Sequence, residues 1–203
     1  AVAYLPNDSF SVVIHREAVV NVRIPLDPLI STLSILDHHD SNLRITYNGY
    51  GEPLQVFLEH DEVVVDTQIN TLTNEQRLEF DFLKEDLKAR IIMKANVLKD
   101  AFREFDSSSP AVLFIVNNEN FSVQTKGDMG TVTTTFPRTS DSIDTIECAR
   151  MTHTSYRLTL LKKMEKALAI SSKISLRIDR NGLLMVQFMV EKCLDNNQIF
   201  IEY

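Results

Sequence analysis

The sequence predicts an α+β fold in which one strand–helix–hairpin unit recurs, and three observations carry that expectation. The first is the stretch from Tyr156 to Glu191, where Tyr156–Leu160 alternates as a strand and then passes into a helical pattern with Leu161, Met164, Leu168 and Ser171 on one face. It returns as two β-rich runs, Lys173–Asp179 and Leu183–Val190. The second is the Arg180-Asn181-Gly182 link between those runs, because Asn-Gly supplies the positive φ that a tight primed hairpin turn demands. The third is self-similarity. Arg23-Ile24, Arg90-Ile91 and Arg157-Leu158 lie 67 residues apart each time, each closing an apolar strand just before a helix.

Taken in order, Ala1–Leu5 reads as a strand with nothing before it to pair with, from which a missing N-terminal segment is expected. Phe10–His15 and Ala18–Ile24 are short alternating strands. Asp27 offers an N-cap oxygen and Pro28 sits at the first helical position, where its missing N–H costs nothing. The helix, about Pro28–Leu36, turns Leu29, Ile30, Leu33 and Leu36 to one face, keeps Ser31, Thr32 and Ser34 elsewhere, and has no basic residue. Leu43–Asn48 and Leu54–His60 form a hairpin around Asn48-Gly49-Tyr50-Gly51, and Glu62–Asn70 adds a third strand. Thr71–Glu79 is a long polar stretch without a core pattern and reads as an interdomain linker. The expected division is residues 1–70, a connector at 71–79, and residues 80–203.

The second domain opens with Phe80-Asp81-Phe82 and a strand at Leu87–Lys94, followed by Asn96 as N-cap of a helix to Phe105. Leu98, Ala101, Phe102 and Phe105 make its apolar stripe, and Lys99 and Arg103 lie one turn apart on another face, diluted by Asp100 and Glu104. Ala111–Asn117 and Phe121–Lys126 pair across Asn118-Glu119-Asn120. Thr131–Phe136 has almost no large apolar side chain, which suits a sheet edge. Ile143–Ala149, the Tyr156–Glu191 unit with Lys162, Lys163 and Lys166 on its helix, and a strand at Gln198–Tyr203 complete the chain.

A 203-residue chain that is 44% apolar and 24% charged can bury one good core or two small ones. No apolar run approaches the roughly 20 residues of a membrane span, so a soluble chain without membrane contact is expected. Cys148 and Cys193 are too few for a disulfide framework and are not spaced as a metal pair, so reduced intracellular thiols are expected. Asp37-His38-His39-Asp40 has adjacent histidines about 100° apart on a helix and no partner at ligating spacing, so it reads as a solvated loop; no metal or cofactor is expected. The net charge of −7 argues against tight general binding to a polyanion, although an acidic total can hide a basic face.

Val97–Asp106, the Lys173–Asp179/Leu183–Val190 hairpin, Tyr47–Leu58 and the ending Ile199–Tyr203 together resemble the Rad-one subunits of the DNA-damage checkpoint clamp. These are relatives of proliferating cell nuclear antigen and one of three unlike subunits of the ring called nine-one-one. The resemblance runs through essentially the whole chain in one order. It implies the sliding-clamp fold: four strand–helix–sheet units, two per domain, with helices around a central hole and antiparallel sheets outside. Three units and the last strand of a fourth are present, so the first domain is expected to be incomplete, lacking its first strand, helix and hairpin.

By the same resemblance, Lys99, Arg103, Lys162, Lys163 and Lys166 face DNA phosphates from the inner helices, without reading bases. Val63, Val65, Thr67 and Ile69 on one strand, and Thr131, Thr133 and Thr135 on another, mark the edges through which unlike subunits pair. The implied partners are the two other clamp subunits, encircled double-stranded DNA, a clamp loader, and repair or signalling clients docking near the connector. The implied location is the nucleus. Two rival readings are a metal-dependent 3′–5′ DNA exonuclease and a protein-interaction scaffold without DNA contact. The exonuclease needs carboxylates converging on metals about 4 Å apart, and its candidates are Glu59-His60-Asp61-Glu62, Asp81 with Glu85 and Asp86, and Asp141 with Asp144. No spacing brings these clusters together and solvated loops account for them, so a non-enzyme is expected.

Overall fold

Strand β5 (Leu87–Lys94) shows how the repeat is made. Its alternation buries Ala89, Ile91 and Met93 and leaves the intervening side chains outside. Helix α2 (Ala95–Arg103) follows without a loop, burying Ala95, Leu98, Ala101 and Phe102. Its N-cap is Lys94, not Asn96. No cap side chain is used; the Lys94 and Ala95 N–H groups donate to Ser142 O and Ser172 O, which tie the start of the helix to neighbouring loops.

The computed structural model describes residues 1–14, 19–34, 41–60, 63–73, 82–128, 130–191 and 198–203. They fall into two units, Ala1–Val13 with Phe80–Tyr203, and Ile14–Glu79. The first thirteen residues therefore group differently from the expected 1–70 domain. The reason is that β1 (Val2–Tyr4) pairs antiparallel with β13 (Gln198–Glu202), so the strand expected to lack a partner has one.

In the larger unit the six-stranded sheet runs β1, β13, β12 (Leu184–Glu191), β11 (Lys173–Asp179), β5, β9 (Ile143–Cys148). A four-stranded sheet runs β10 (Thr152–Arg157), β6 (Ala111–Val116), β7 (Asn120–Gly127), β8 (Gly130–Pro137). Both sheets share one core with α2, α3 (Leu158–Leu161), a 3₁₀ turn at Lys162–Met164 and α4 (Glu165–Ile170). Phe114, Phe121 and Phe188 lie at its centre, with Phe114 edge-on to both Phe121 and Tyr156. The repeated helix thus starts at Leu158 and is broken into three pieces.

The β11–β12 hairpin closes through three residues instead of a two-residue primed turn. The Gly182 N–H donates to Asp179 O, the Asp179 N–H donates to Leu183 O, and Gly182 takes φ +83°.

In the smaller unit α1 (Leu26–Leu33) precedes an antiparallel sheet of β2 (Asn42–Tyr47), β3 (Leu54–His60) and β4 (Val63–Ile69). The N-cap of α1 is Pro25, and Pro28 is its third residue, still among the first-turn positions that have no N–H acceptor. Thr32 is the buried residue of α1, its Oγ1 bonded to Pro28 O and Thr67 Oγ1, whereas Ile30 is exposed. Leu54, Val56 and Ile69 form a small core against Ile24, Leu29 and Tyr47. The strands expected at 10–15 and 18–24 do not form over the described residues 10–14 and 19–24. Among the described residues no strand ladder forms along them: the Leu72 N–H donates to Arg23 O as a contact outside any ladder, and Ile14 is 87% exposed. Positions 37–40 and 74–81 and Cys193 lie outside the described residues.

Candidate nucleic-acid interface

The amphipathic pattern of α2 settles where its cations go. With Leu98, Ala101 and Phe102 turned inward, Lys99 and Arg103 emerge together at i, i+4 spacing. Helix α4 packs beside α2, and the two frame a shallow depression of about 300 Å³ lined by Lys99, Phe102, Arg103, Glu165, Lys166, Leu168 and Ala169. The fold therefore gathers Lys99, Arg103 and Lys166, which are 67 positions apart in sequence at the extremes, around one surface. The floor is apolar, so the aliphatic stems can lie along it with the charged heads in water.

The other two expected cations stand slightly apart on the 3₁₀ turn. Lys162 Nζ donates to Ser107 Oγ at 3.2 Å, which draws it toward the loop after α2. Lys163 is exposed, and its carbonyl accepts from Tyr203 Oη at 3.1 Å. Acidic groups enter the same surface. Arg103 Nη1 lies 3.1 Å from Asp100 Oδ1, and Glu165 lines the depression. The role of Glu165 was legible in its position beside Lys166; that of Ser107 depends on a contact between distant segments. Helix α1 has no basic residue.

The two strands with expected interface residues are each outermost in their sheets: β4 bounds the three-stranded sheet and β8 the four-stranded one. Along β4, Ile69 is buried, Val65 and Thr67 are half-buried, and Val63 and its neighbour Val64 are exposed. Along β8, Thr131, Thr133 and Thr135 are exposed. Thr133 Oγ1 accepts from Gln124 Nε2 at 2.8 Å, and the Thr135 and Ser122 hydroxyls lie 2.9 Å apart, so two of the threonines are held by β7.

Two of the candidate carboxylates serve as counter-ions. Asp86 pairs with Arg180 at 3.3 Å and Asp144 with Lys173 at 2.6 Å. Among the described residues no three His, Cys, Asp or Glu side chains gather as a metal site; Asp61, Glu62 and Asp81 lie outside them. Nor is any described helix long and apolar enough to cross a membrane.

A buried carboxylate and a half-buried phenol hold the β11–β12 hairpin turn. Asp179 is fully buried, its Oδ1 accepting the Leu183 N–H at 2.8 Å and its Oδ2 the Leu83 N–H at 3.5 Å. Tyr156 Oη donates to Gly182 O at 3.1 Å, and burial pushes the phenol well above its ordinary range, Asp179 adding to the effect and a Thr154 hydrogen bond opposing it.

The sequence matches the family described as "Repair protein Rad1/Rec1/Rad17" over residues 6–190. It is 34% identical to the cell cycle checkpoint protein RAD1 of Mus musculus, across 99% of this chain and 74% of that protein. It is 25% identical to a Mycosarcoma maydis protein named DNA repair exonuclease REC1, across 75% of this chain and 40% of that one. Among solved structures it resembles PCNA of Thermococcus kodakaraensis with a TM-score of 0.70 at 18% identity, covering 86% of this chain and 69% of that one. The chain thus has the sliding-clamp fold, and it belongs to the Rad1/Rec1/Rad17 family of repair proteins.

Proposed function

We propose that the chain is a non-catalytic subunit of a heterotrimeric ring that encircles double-stranded DNA in the nucleus and serves DNA-damage checkpoint signalling and repair. The observation that carries this reading is the α2–α4 surface, where Lys99, Arg103 and Lys166 converge from two helices of a clamp fold. A ring holds DNA topologically, so its lining needs mild positive potential; phosphate contacts of this kind are salt-sensitive and indifferent to sequence, as sliding requires. The outermost strands β4 and β8 supply unpaired backbone groups through which two unlike neighbours close the ring by strand addition. A clamp loader opens and closes that ring, and clients dock near Thr71–Glu79.

The test replaces Lys99, Arg103, Lys162, Lys163 and Lys166 with Ala and measures retention on closed circular DNA together with the mass of the chain mixed with the two other subunits. The ring reading expects an intact one-to-one-to-one complex and shortened retention. Unchanged retention would remove the basic helices from the mechanism and favour a scaffold without DNA contact, which the net charge of −7 permits.

The name of the Mycosarcoma maydis relative keeps a second reading, a metal-dependent 3′–5′ exonuclease. It expects magnesium-dependent degradation by the purified chain, abolished by neutralising one acidic cluster. The ion pairs of Asp86 and Asp144 favour the non-enzymatic reading, since each gives that carboxylate a cation of its own.

A further inference from the structure

We propose that Asp100 is a positioning residue of the α2–α4 surface, holding Arg103 along the helix and withholding part of its charge from DNA. The inference rests on the clamp reading and adds a device that weakens the hold. Asp100 Oδ1 and Arg103 Nη1 are 3.1 Å apart at i, i+3 spacing, each side chain 66% exposed. Lys99 and Arg103 share a face at i, i+4, a like-charge arrangement that repels, and Asp100, on the far side of Arg103 from Lys99, draws the guanidinium toward itself.

On α4, Glu165 stands beside Lys166 in the same depression. The three cations that converge there are thus accompanied by two carboxylates, one of them in contact. Because the Asp100–Arg103 pair is open to water, exchanging carboxylate for phosphate is a low-cost step. Arg103 can take and release successive phosphates as the duplex moves, at the expense of affinity. An attenuated surface suits a ring that is retained by closure and must still slide.

The experiment measures binding of a short labelled DNA duplex by the full chain assembled with its two ring partners, as a function of salt. Asp100→Asn is expected to tighten binding roughly two- to fivefold at about 0.1 M salt. The slope of log affinity against log salt should steepen by up to about one. Arg103→Ala should weaken binding, and the double variant should match Arg103→Ala, because Asp100 acts through Arg103. Glu104→Gln, an exposed acid of the same turn, is the control; an equal gain there would reduce the effect to net charge and overturn the role of Asp100. Equal or weaker binding by Asp100→Asn, with Arg103→Ala still impaired and thermal transitions unchanged, would overturn the proposal and leave the clamp reading standing. Failure of the clamp reading looks different: neither Arg103→Ala nor the five-alanine variant would change binding.

Discussion

Tyr156 is a neutral group whose burial makes it pH-sensitive at one end of the scale only. Its folded-state value lies well above the ordinary 10.0 of tyrosine because burial disfavours the phenolate. A raised folded value means that its stabilisation is whole below about pH 10 and is lost as pH rises from there toward the folded value, since only the unfolded chain releases the proton in that window. Tyr156→Phe should therefore flatten the alkaline fall of the melting temperature relative to the parent chain. Near neutral pH the same variant should cost about 1 kcal/mol for the lost bond to Gly182 O. Matching pH–Tm curves for the two proteins would show that Tyr156 does not carry the alkaline sensitivity. Gly182 is a second case, because its φ of +83° is strained for any side chain, although an added methyl would meet only Thr154 Cγ2 at 3.5 Å. Gly182→Ala should lower stability by about 1–2 kcal/mol in denaturant titration. At this scale Asn-Gly located the hairpin correctly but not its turn type. The loop is three residues long because Asp179 is buried and its carboxylate fixes Leu183, a long-range burial that spacing does not encode.

Elements were legible where each could be judged against its own pattern. The strand–helix junction before α2 and its apolar stripe followed from period-2 and 3.6-residue spacing, and so did the runs that became β3, β5 and β11. Elements whose form depends on a neighbour were not. The segments at 10–14 and 19–24 alternate like strands, yet a strand needs a partner for its N–H and C=O groups, and alternation cannot say whether one is there. The same reasoning makes β4 and β8 informative, for among the described residues they are strands with one paired side and one open side. Val63 and Val64 on β4 are 63% and 62% exposed, an apolar pair that stands outside the core clusters of the described residues. If β4 joins a neighbouring subunit as proposed, Val64→Lys should weaken ring assembly at least about tenfold through an unpaired charge at the contact. The melting temperature of the isolated chain should shift little, since a surface change of this kind stays within about 0.5 kcal/mol. Light scattering of the mixed subunits, with calorimetry of the single chain, checks both halves; undiminished assembly would exclude this end of β4 from the interface.

Across the molecule the two units differ greatly in what holds them. Among the described residues the larger has one continuous core of twenty-seven buried apolar residues drawn from two sheets and the helices, whereas the core cluster of the smaller contains Leu54, Val56 and Ile69. Their resistance to opening should differ accordingly, because local stability follows the apolar area removed from water around each hydrogen bond. The gathering of Lys99, Arg103 and Lys166 belongs to this scale too: each cation was readable on its helix, but the packing of α4 beside α2 joins segments that only the shared core brings together. The unequal cores give a measurable ordering. In native-state hydrogen exchange the amides of β2, β3 and β4 should exchange faster than those of β5, β6, β7 and β11. The gap should be about 100-fold if the free energies of opening differ by roughly 3 kcal/mol. Addition of the two proposed ring partners should then slow exchange in β4 and β8 first, since binding stabilises whichever state it selects. Protection that rises evenly across both units would mean that assembly does not use those edges, and equal protection without partners would mean that the small core is no weak point.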